Sequence, residues 1–484
     1  MDDVTLDLRV SEALARVRAR AAVAGEHAHG VRLSADFDPR ALLGDADRLG
    51  VVASYERPAE GLALVAVGAA RRVDLRRRDG PAAARGAARR ALSMLTDSDA
   101  PALRPRLLGG FRFNPAPAPA EPWDAFGAGW LVLPRLLFVA DGDVRGVVIA
   151  PGVPPEEAET PLRAALTAPS SAPGSLAPLP PMGERARPDR SDGGPREAMG
   201  GEGNPLQEAS AVDERRWRAS VATIAGDVRT GRYEKAVLAT SLELRGRAPI
   251  DVGRALARLR SGYPDCHLFT MHAGGATFLG ASPELLVGLH DGELEALGLA
   301  GSSARGATAD EDAELGRRLL ASAKDRIEHE TVVRAIRERL EGATDELRAP
   351  NAPTLRRLPN IQHLATHIRG HVRFGVDVLE LVRRLHPTPA VCGYPREAAL
   401  RVITEHERFD RGWYAGPVGW VDGRGDGEFA VALRAAVVRD ERAWLFAGNG
   451  IMGDSEPGAE LAEVRLKFRP LIEALGGHGA TPLP

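Results

Sequence analysis

Three pairs of apolar runs in the second half of the chain are separated by turns short enough to close only hairpins. His267–Ala273 and Ala276–Gly280 flank Gly274-Gly275, Leu285–Leu289 and Glu293–Leu297 flank His290-Asp291-Gly292, and Val431–Val438 and Ala443–Ala447 flank Arg439–Arg442. Gly-Gly and Asp-Gly supply the positive φ that tight antiparallel turns require. Between and after these hairpins the spacing predicts one long helix over about Glu311–Leu340, a second over Val378–Leu385 ahead of His386-Pro387-Thr388-Pro389, and a last one from about Gly458 to Pro470. The N-terminal part mixes helices at Ser11–Ala24 and Ala82–Leu95 with apolar strands at Gly61–Gly68 and Gly129–Val139. Gly109-Gly110-Phe111-Arg112-Phe113 reads as a loop entering a strand, its glycines serving backbone geometry. The class is α+β with large antiparallel sheets, because the steady strand–helix rhythm of a parallel sheet is missing. No Gly-x-Gly-x-x-Gly follows a strand, and there is no P-loop.

Composition narrows the field. Length alone, 484 residues, suggests about three domains. Glycine (53) and proline (36) are in excess, and the excess has an address: Pro169–Pro205 carries no helical or strand period and reads as an extended linker. The expected organisation is an N-terminal part over 1–165, a Pro/Gly-rich linker over 166–210 and a C-terminal part over 211–480. Lys+Arg 63 against Asp+Glu 66 gives a net charge of −3, so no basic field attracts nucleic acid. Two cysteines, Cys266 and Cys392, exclude a disulfide framework and a Cys-based zinc site. The acidic N-terminus lacks an apolar signal core, and Gly129–Ala140, the most apolar stretch, falls short of the ~20 residues that span a bilayer. A soluble cytoplasmic protein with no membrane partner is expected.

Several residues could carry chemistry. Four-residue steps from Glu328 reach Val332, Ile336 and Leu340, so its carboxylate heads an apolar row facing inward or into a cleft; a surface salt bridge to Lys324 or Arg326 is the alternative. Glu460, Glu463 and Lys467 share one face of the last helix beside Leu461, Val464, Phe468 and Leu471. Stacked carboxylates repel unless a cation lies between them, and Mg²⁺ favours oxygen ligands; a solvated charged face is the alternative. His363, His367 and His371 repeat every four residues. Their segment, Pro359–Phe374, reads as strand as readily as helix and brings no carboxylate, so zinc is a minor reading beside a single histidine in a polar cleft. Lys235 opens the strand Lys235–Thr240, and Glu284 follows Ser282-Pro283. Each is either a surface or turn charge or, desolvated, a general base and a general acid.

Seven segments, in order, resemble the chorismate-binding enzymes: isochorismate synthase, salicylate synthase, and the first components of anthranilate and aminodeoxychorismate synthases. They are YEKAVLA from Tyr233, LGASPELL from Leu279, LAGSSARG from Leu299, AKDRIEHE from Ala323, LHPTPAVCG from Leu385, WYAGPVGW from Trp413, and GNGI from Gly448 through ELAEVRLK from Glu460. They cover about residues 213–476. The separations of Glu284 from Glu328 and of Glu328 from Glu463 resemble those between the family's general acid and its two metal ligands. Lys235 resembles the water-activating lysine of isochorismate and salicylate synthases, and Ala300 stands where the aminodeoxychorismate enzymes carry a nucleophilic lysine. Ala390 resembles the isochorismate-type residue where salicylate synthases tend to have threonine.

The resemblance implies an anthranilate-synthase component I-like α+β fold, with large antiparallel sheets packed face to face, helices outside, and the N-terminal strands added to the C-terminal sheets. It implies an isochorismate synthase acting on chorismate with Mg²⁺ held by Glu328 and Glu463, with Glu460 nearby. Lys235 would be the base and Glu284 the acid. Gly301, Ser302, His363, Ala390, Tyr414, Arg434, Gly448 and Lys467 would bind substrate, Arg434 and Tyr414 clamping the enolpyruvyl carboxylate. A monomer without a glutaminase partner is expected. Anthranilate synthase component I, salicylate synthase and a catalytically inactive chorismate-binding regulator are the competing readings. Glu56-Arg57-Pro58 and Gly61-Leu62-Ala63-Leu64 resemble the menaquinone-pathway version of the N-terminal part, with siderophore supply as the alternative.

Overall fold

The computed structural model describes residues 3–24, 28–34, 37–75, 80–92, 100–114, 120–167 and 206–476. Of the expected linker over 166–210, residues 168–205, with Pro169–Pro205, lie outside them; its ends are structured instead, a helix running to Thr167 and Gln207–Ser210 pairing antiparallel with Lys235–Arg245. The strands that build the site are, in chain order, β1 (Val51–Arg57), β2 (Leu62–Asp74), β3 (Arg106–Phe111), β4 (Gly129–Asp141), β5 (Lys235–Arg245), β6 (His267–Ala273) and β7 (Ala276–Ser282). They continue with β8 (Leu285–His290), β9 (Glu293–Ala304), β10 (Ile361–Val372), β11 (Pro417–Asp422), β12 (Gly427–Val431), β13 (Ala435–Arg439) and β14 (Arg442–Ile451). All pair antiparallel, in two ladders. One runs β4–β2–β1–β6–β7–β13–β14–β5. The other runs β4–β3–β11–β12–β8–β9–β10. β4 belongs to both, and its apolar run (GWLVLPRLLFVAD) is buried along almost its whole length, as expected of a strand covered on both faces.

The chain passes from one ladder to the other twice in the catalytic half. β7 lies in the first ladder and β8 in the second, joined by Pro283 and Glu284. β12 lies in the second and β13 in the first, joined by Ala432, Leu433 and Arg434. The expected strand Val431–Val438 is therefore broken, with Arg434 at φ 47°. The two crossings lie side by side: Val431 N–H donates to Glu284 O (3.0 Å), and Ala281 N–H donates to Arg434 O (3.2 Å).

Four further expectations need correction. The long helix is two, α1 (Ala309–Ala321) and α2 (Ala323–Leu340), because Ser322 leaves helical geometry and its hydroxyl accepts from Asp325 N–H as the N-cap of α2. Helical periodicity carries across such a one-residue break, so the sequence hides it. The last helix, α3 (Pro457–Leu475), passes through Pro470 and ends at Gly476, φ 99°. Proline removes the hydrogen bond to the carbonyl four residues earlier, and here that carbonyl, Leu466 O, accepts from Asn360 Nδ2 at 3.1 Å. Gly109 and Gly110 lie within β3 rather than in a loop. A Cβ at Gly109 would stand 2.0 Å from Trp130 O, and one at Gly110 2.7 Å from the Trp413 ring, so close approach demands both glycines. The helix expected over Ala82–Leu95 spans Gly80–Leu92.

The N-terminal strands are tied to the catalytic half by buried polar contacts as well as by the ladders. Tyr55 donates to Glu428 (2.6 Å), Arg57 donates to the other Glu428 oxygen (2.7 Å), and His267 Nδ1 lies 3.1 Å from Glu428. On the opposite face of β1, the fully buried Glu56 accepts two bonds from Arg260 (2.7 and 2.9 Å). Removing one member of such a pair strands the other charge. Glu56→Ala should cost about 3 kcal/mol, the low end for a broken buried pair because Arg260 keeps some solvent. A urea titration showing an unchanged midpoint would refute that role.

Candidate active site

Because Glu284 and Arg434 stand where strands change ladder, the alternating pleat does not fix where their side chains point, and both line a cleft between the ladders. Glu284 is buried, and burial pushes its carboxyl up to about 8 although the positive charges of Lys235 and Arg434 pull the other way. It is therefore a neutral proton donor at ordinary pH. Arg434 is also buried. Among the described residues no carboxylate lies within ion-pair distance of it, which leaves a guanidinium aimed into the cleft without a counter-ion. Tyr414, stacked on Phe446 at 5.5 Å between ring centroids, lines the same region, and burial holds its phenol neutral, with its pKa pushed up to about 12.

One wall comes from a bulge in β9. Pairing with β10 shifts between Ala300 and Ser302, leaving Gly301 unpaired at φ 75°, a conformation that suits glycine. A Cβ there would stand 3.0 Å from Asp325 Cβ. His363 on β10 reaches across, its Nδ1 3.1 Å from Ser302 Oγ and 3.3 Å from Gly301 O. Burial, reinforced by Arg434 and Lys467, pushes its pKa down to about 3, so it is a neutral ring with Nε2 free of partners among the described residues. His367 and His371 lie exposed further along the same strand, and His367 hydrogen-bonds Glu295 at 2.9 Å. The three histidines do not converge, and the zinc reading fails.

Helices α2 and α3 bring three glutamates to the cleft, and each faces a lysine. Lys235 Nζ lies 2.8 Å from Glu328 Oε1, Lys324 Nζ 3.3 Å from Glu460 Oε1, and Lys467 Nζ 2.8 Å from Glu463 Oε1. The Glu460 carboxyl is pushed up by burial and by the neighbouring Glu463 and Glu328 charges, against Lys324 and Ser455. Burial works to raise that of Glu463 as well, but Lys467 and Ser302 outweigh it and hold it down. Lys467 also donates to Gly448 O (2.9 Å) and Asn449 Oδ1 (2.8 Å), so its ammonium braces β14 against α3 as well as lining the cleft. Gly448 and Ala390 line it too. Lys235 sits just behind the lining, buried at the start of β5, and reaches the cleft through Glu328.

Sequence reasoning missed Arg411, which also lines the cleft. It is buried against Glu407 (2.8 and 2.6 Å) and donates to Val391 O (2.7 Å) and Val237 O (2.9 Å), fixing the segment that carries Ala390 to β5. The available signal was Glu407 four residues before Arg411, directly ahead of WYAGPVGW. The sequence offers Lys324 only as a surface partner of Glu328; in the structure its partner is Glu460 on another helix.

The sequence model described as chorismate binding enzyme matches residues 26–476. The chain belongs to the chorismate-binding enzyme family. Among the relatives of this family member, the salicylate biosynthesis isochorismate synthase of Pseudomonas aeruginosa is 43 % identical over 384 residues, 79 % of this chain and 77 % of the relative. Isochorismate synthase MenF of Bacillus subtilis is 34 % identical over 380 residues, 78 % and 76 % of the two chains. Among solved structures, the menaquinone-specific isochorismate synthase MenF of Escherichia coli superposes with a TM-score of 0.74 at 24 % identity, covering 96 % of this chain and 100 % of the other. Anthranilate synthase component I of Streptococcus pneumoniae gives 0.65 at 19 %, covering 85 % and 92 %. The fold is that of anthranilate synthase component I and the isochorismate synthases. Among the described residues, no helix is long and apolar enough to cross a membrane.

In this chorismate-binding enzyme the glutamate oxygens suit a hard cation such as Mg²⁺, and the like-charge crowding at Glu460 is what a cation would relieve. With each carboxylate turned to its lysine, however, no three His, Cys, Asp or Glu side chains among the described residues converge on one point. A cation would have to share the glutamate carboxylates with those lysines.

The raised Glu284 carboxyl has a consequence for stability. The folded protein holds this proton up to about pH 8, whereas the unfolded chain releases it near 4.5. The folded state thus binds the extra proton between those values, and its stability falls as pH rises through that window. Glu284→Gln should remove this slope, gaining thermal midpoint on the wild type between pH 5 and 8. Parallel midpoint–pH curves for the two proteins would show that Glu284 is not held neutral.

Proposed function

We propose that the protein is an isochorismate synthase, interconverting chorismate and isochorismate. The observation that carries this reading is that a buried Arg434, with no carboxylate within ion-pair distance among the described residues, and a neutral Glu284 line one cleft. A buried unpaired cation is costly unless a ligand supplies the anion, and an Arg fork suits a carboxylate. The names of the relatives point the same way. Arg434 would hold the enolpyruvyl carboxylate with Tyr414 beside it, and the Gly301–Ser302 backbone with His363 would line the ring pocket. Mg²⁺, held by Glu328 and Glu463 with Glu460 directly or through water, would supply positive charge against the ring carboxylate.

The acid and base lie on different elements. Lys235, acting as the neutral amine after releasing its own proton, would take a proton from the water that adds at C2. Glu284 gives its proton to the hydroxyl leaving C4, and the ring double bonds shift between the two carbons. One water enters and one leaves, so the reaction is reversible and close to balanced. An acid kept protonated by burial and a lysine in a separate environment match the opposed roles that general acid–base catalysis requires. Glu56 and Arg57, in the stretch resembling menaquinone enzymes, are committed to Arg260 and Glu428 inside the fold. Siderophore or menaquinone supply is therefore a matter of which enzyme consumes the product.

Incubating the protein with chorismate and Mg²⁺ should give isochorismate without added ammonia. Salicylate plus pyruvate, or an ammonia-dependent aminated product, would assign it to a neighbouring activity of the family, and no turnover would leave a binding protein. Lys235→Ala should lower kcat at least ~100-fold, the lower range for loss of a general base, while chorismate still binds by calorimetry. Near-normal turnover would sink the base assignment.

A further inference from the structure

Gly450 faces the cleft at the far end of β14, opposite Val237 of β5. Its φ is outside the left-handed region that favours glycine, so the backbone itself does not call for glycine. The space does. A Cβ at 450 would stand 2.3 Å from Glu328 Oε1, 2.6 Å from Lys235 Cε and 3.0 Å from Lys235 Nζ. Every one of these atoms belongs to the Lys235–Glu328 pair, and every one is the tip of a long side chain. Two positions earlier, a Cβ on Gly448 would instead meet backbone, 2.8 Å from Leu238 O and 3.1 Å from Ala239 Cα. A methyl at 448 would strain the β5–β14 ladder, whereas a methyl at 450 would displace only the two side chains.

We propose that Gly450 is a positioning residue: the hydrogen in place of its side chain leaves the space into which Lys235 and Glu328 close on each other. The inference rests on the catalytic reading of that pair given above. A shift of about 1 Å in a catalytic group can cost on the order of 100-fold in rate, so a single methyl here should act on turnover without acting on the fold. Substrate affinity, carried by Arg434 and the bulge of β9, should be little affected.

The test is Gly450→Ala beside the wild type, with chorismate and Mg²⁺. The expected result is a ~100-fold fall in kcat, KM within about threefold and a thermal midpoint within about 2 °C. A kcat within threefold of wild type overturns the proposal. If the midpoint falls as well, the Glu328→Asp/Gly450→Ala double variant decides. Shortening the carboxylate returns space, so relative to Glu328→Asp alone the alanine penalty should shrink at least tenfold; an undiminished penalty overturns the proposal. A crystal structure of Gly450→Ala reads the same point without activity. Lys235 Nζ and Glu328 separated beyond the ~4 Å ion-pair limit is the supporting outcome, and a preserved close pair is the overturning one. A wild type that fails to turn over chorismate, with the pair displaced in that crystal structure, would sink the functional reading and leave the steric one standing.

Discussion

Two chain crossings, hydrogen-bonded to each other, are the constraint from which the rest of the site follows. Where β7 gives way to β8 and β12 to β13, the backbone must leave one ladder and enter the other, and each crossing satisfies polar groups of its neighbour: Val431 with Glu284 and Ala281 with Arg434. Ser282 adds a side-chain bond to Val431 O. A residue inside a ladder has its side chain directed by the pleat, whereas a residue at a crossing is released from that alternation. An acid and a guanidinium on these two short connections are therefore held on rigid supports, close to two sheets, and aimed at the space between them.

Among the described residues, charge in the cleft is matched by ion pairs except at Arg434 and at Asp325, whose carboxylate lines the wall beside Gly301 and accepts from Ser322. Glu328, Glu460 and Glu463 each face a lysine, Glu407 is matched by Arg411, and Glu284 is uncharged. Arg434, buried and without a carboxylate within ion-pair distance among the described residues, faces the same cleft as Asp325 but is not paired with it. Buried charge is tolerated only in balance, so a dianion alone or a divalent cation alone would disturb this arrangement far more than the two together. Under the proposed activity, substrate and metal should each strengthen the binding of the other.

Much of this was legible in the sequence, for identifiable reasons. The hairpins were, because Gly-Gly and Asp-Gly turns are local and β6–β7 and β8–β9 form around them. The cleft residues were, because seven short segments appear together and in order. The break in Val431–Val438 was not, since an apolar run looks the same whether it stays in one ladder or changes to another. Nor was the helix break at Ser322, where capping interrupts hydrogen bonding but not the apolar period. Lys324 escaped because its partner, Glu460, is distant in sequence, and Arg411 because the i,i+4 pair with Glu407 does not reveal that it also anchors Val391 O and Val237 O. The role of Pro470 could not be read at all without Asn360, which lies more than a hundred positions away.

The sharing of β4 by both ladders sets a condition on how the protein is made. β3, at residues 106–111, finds its partner in β11 at residues 417–422, roughly 300 residues later in synthesis. At ribosomal rates of about 5–20 residues per second, that is on the order of 15–60 s during which an apolar edge waits unpaired. β1 waits about two thirds as long for β6. Unpaired strand edges are templates for association with other chains. During that interval the nascent chain is more exposed to aggregation than the finished enzyme, and its yield in a cell should depend more on translation speed and chaperone supply than its final stability would suggest.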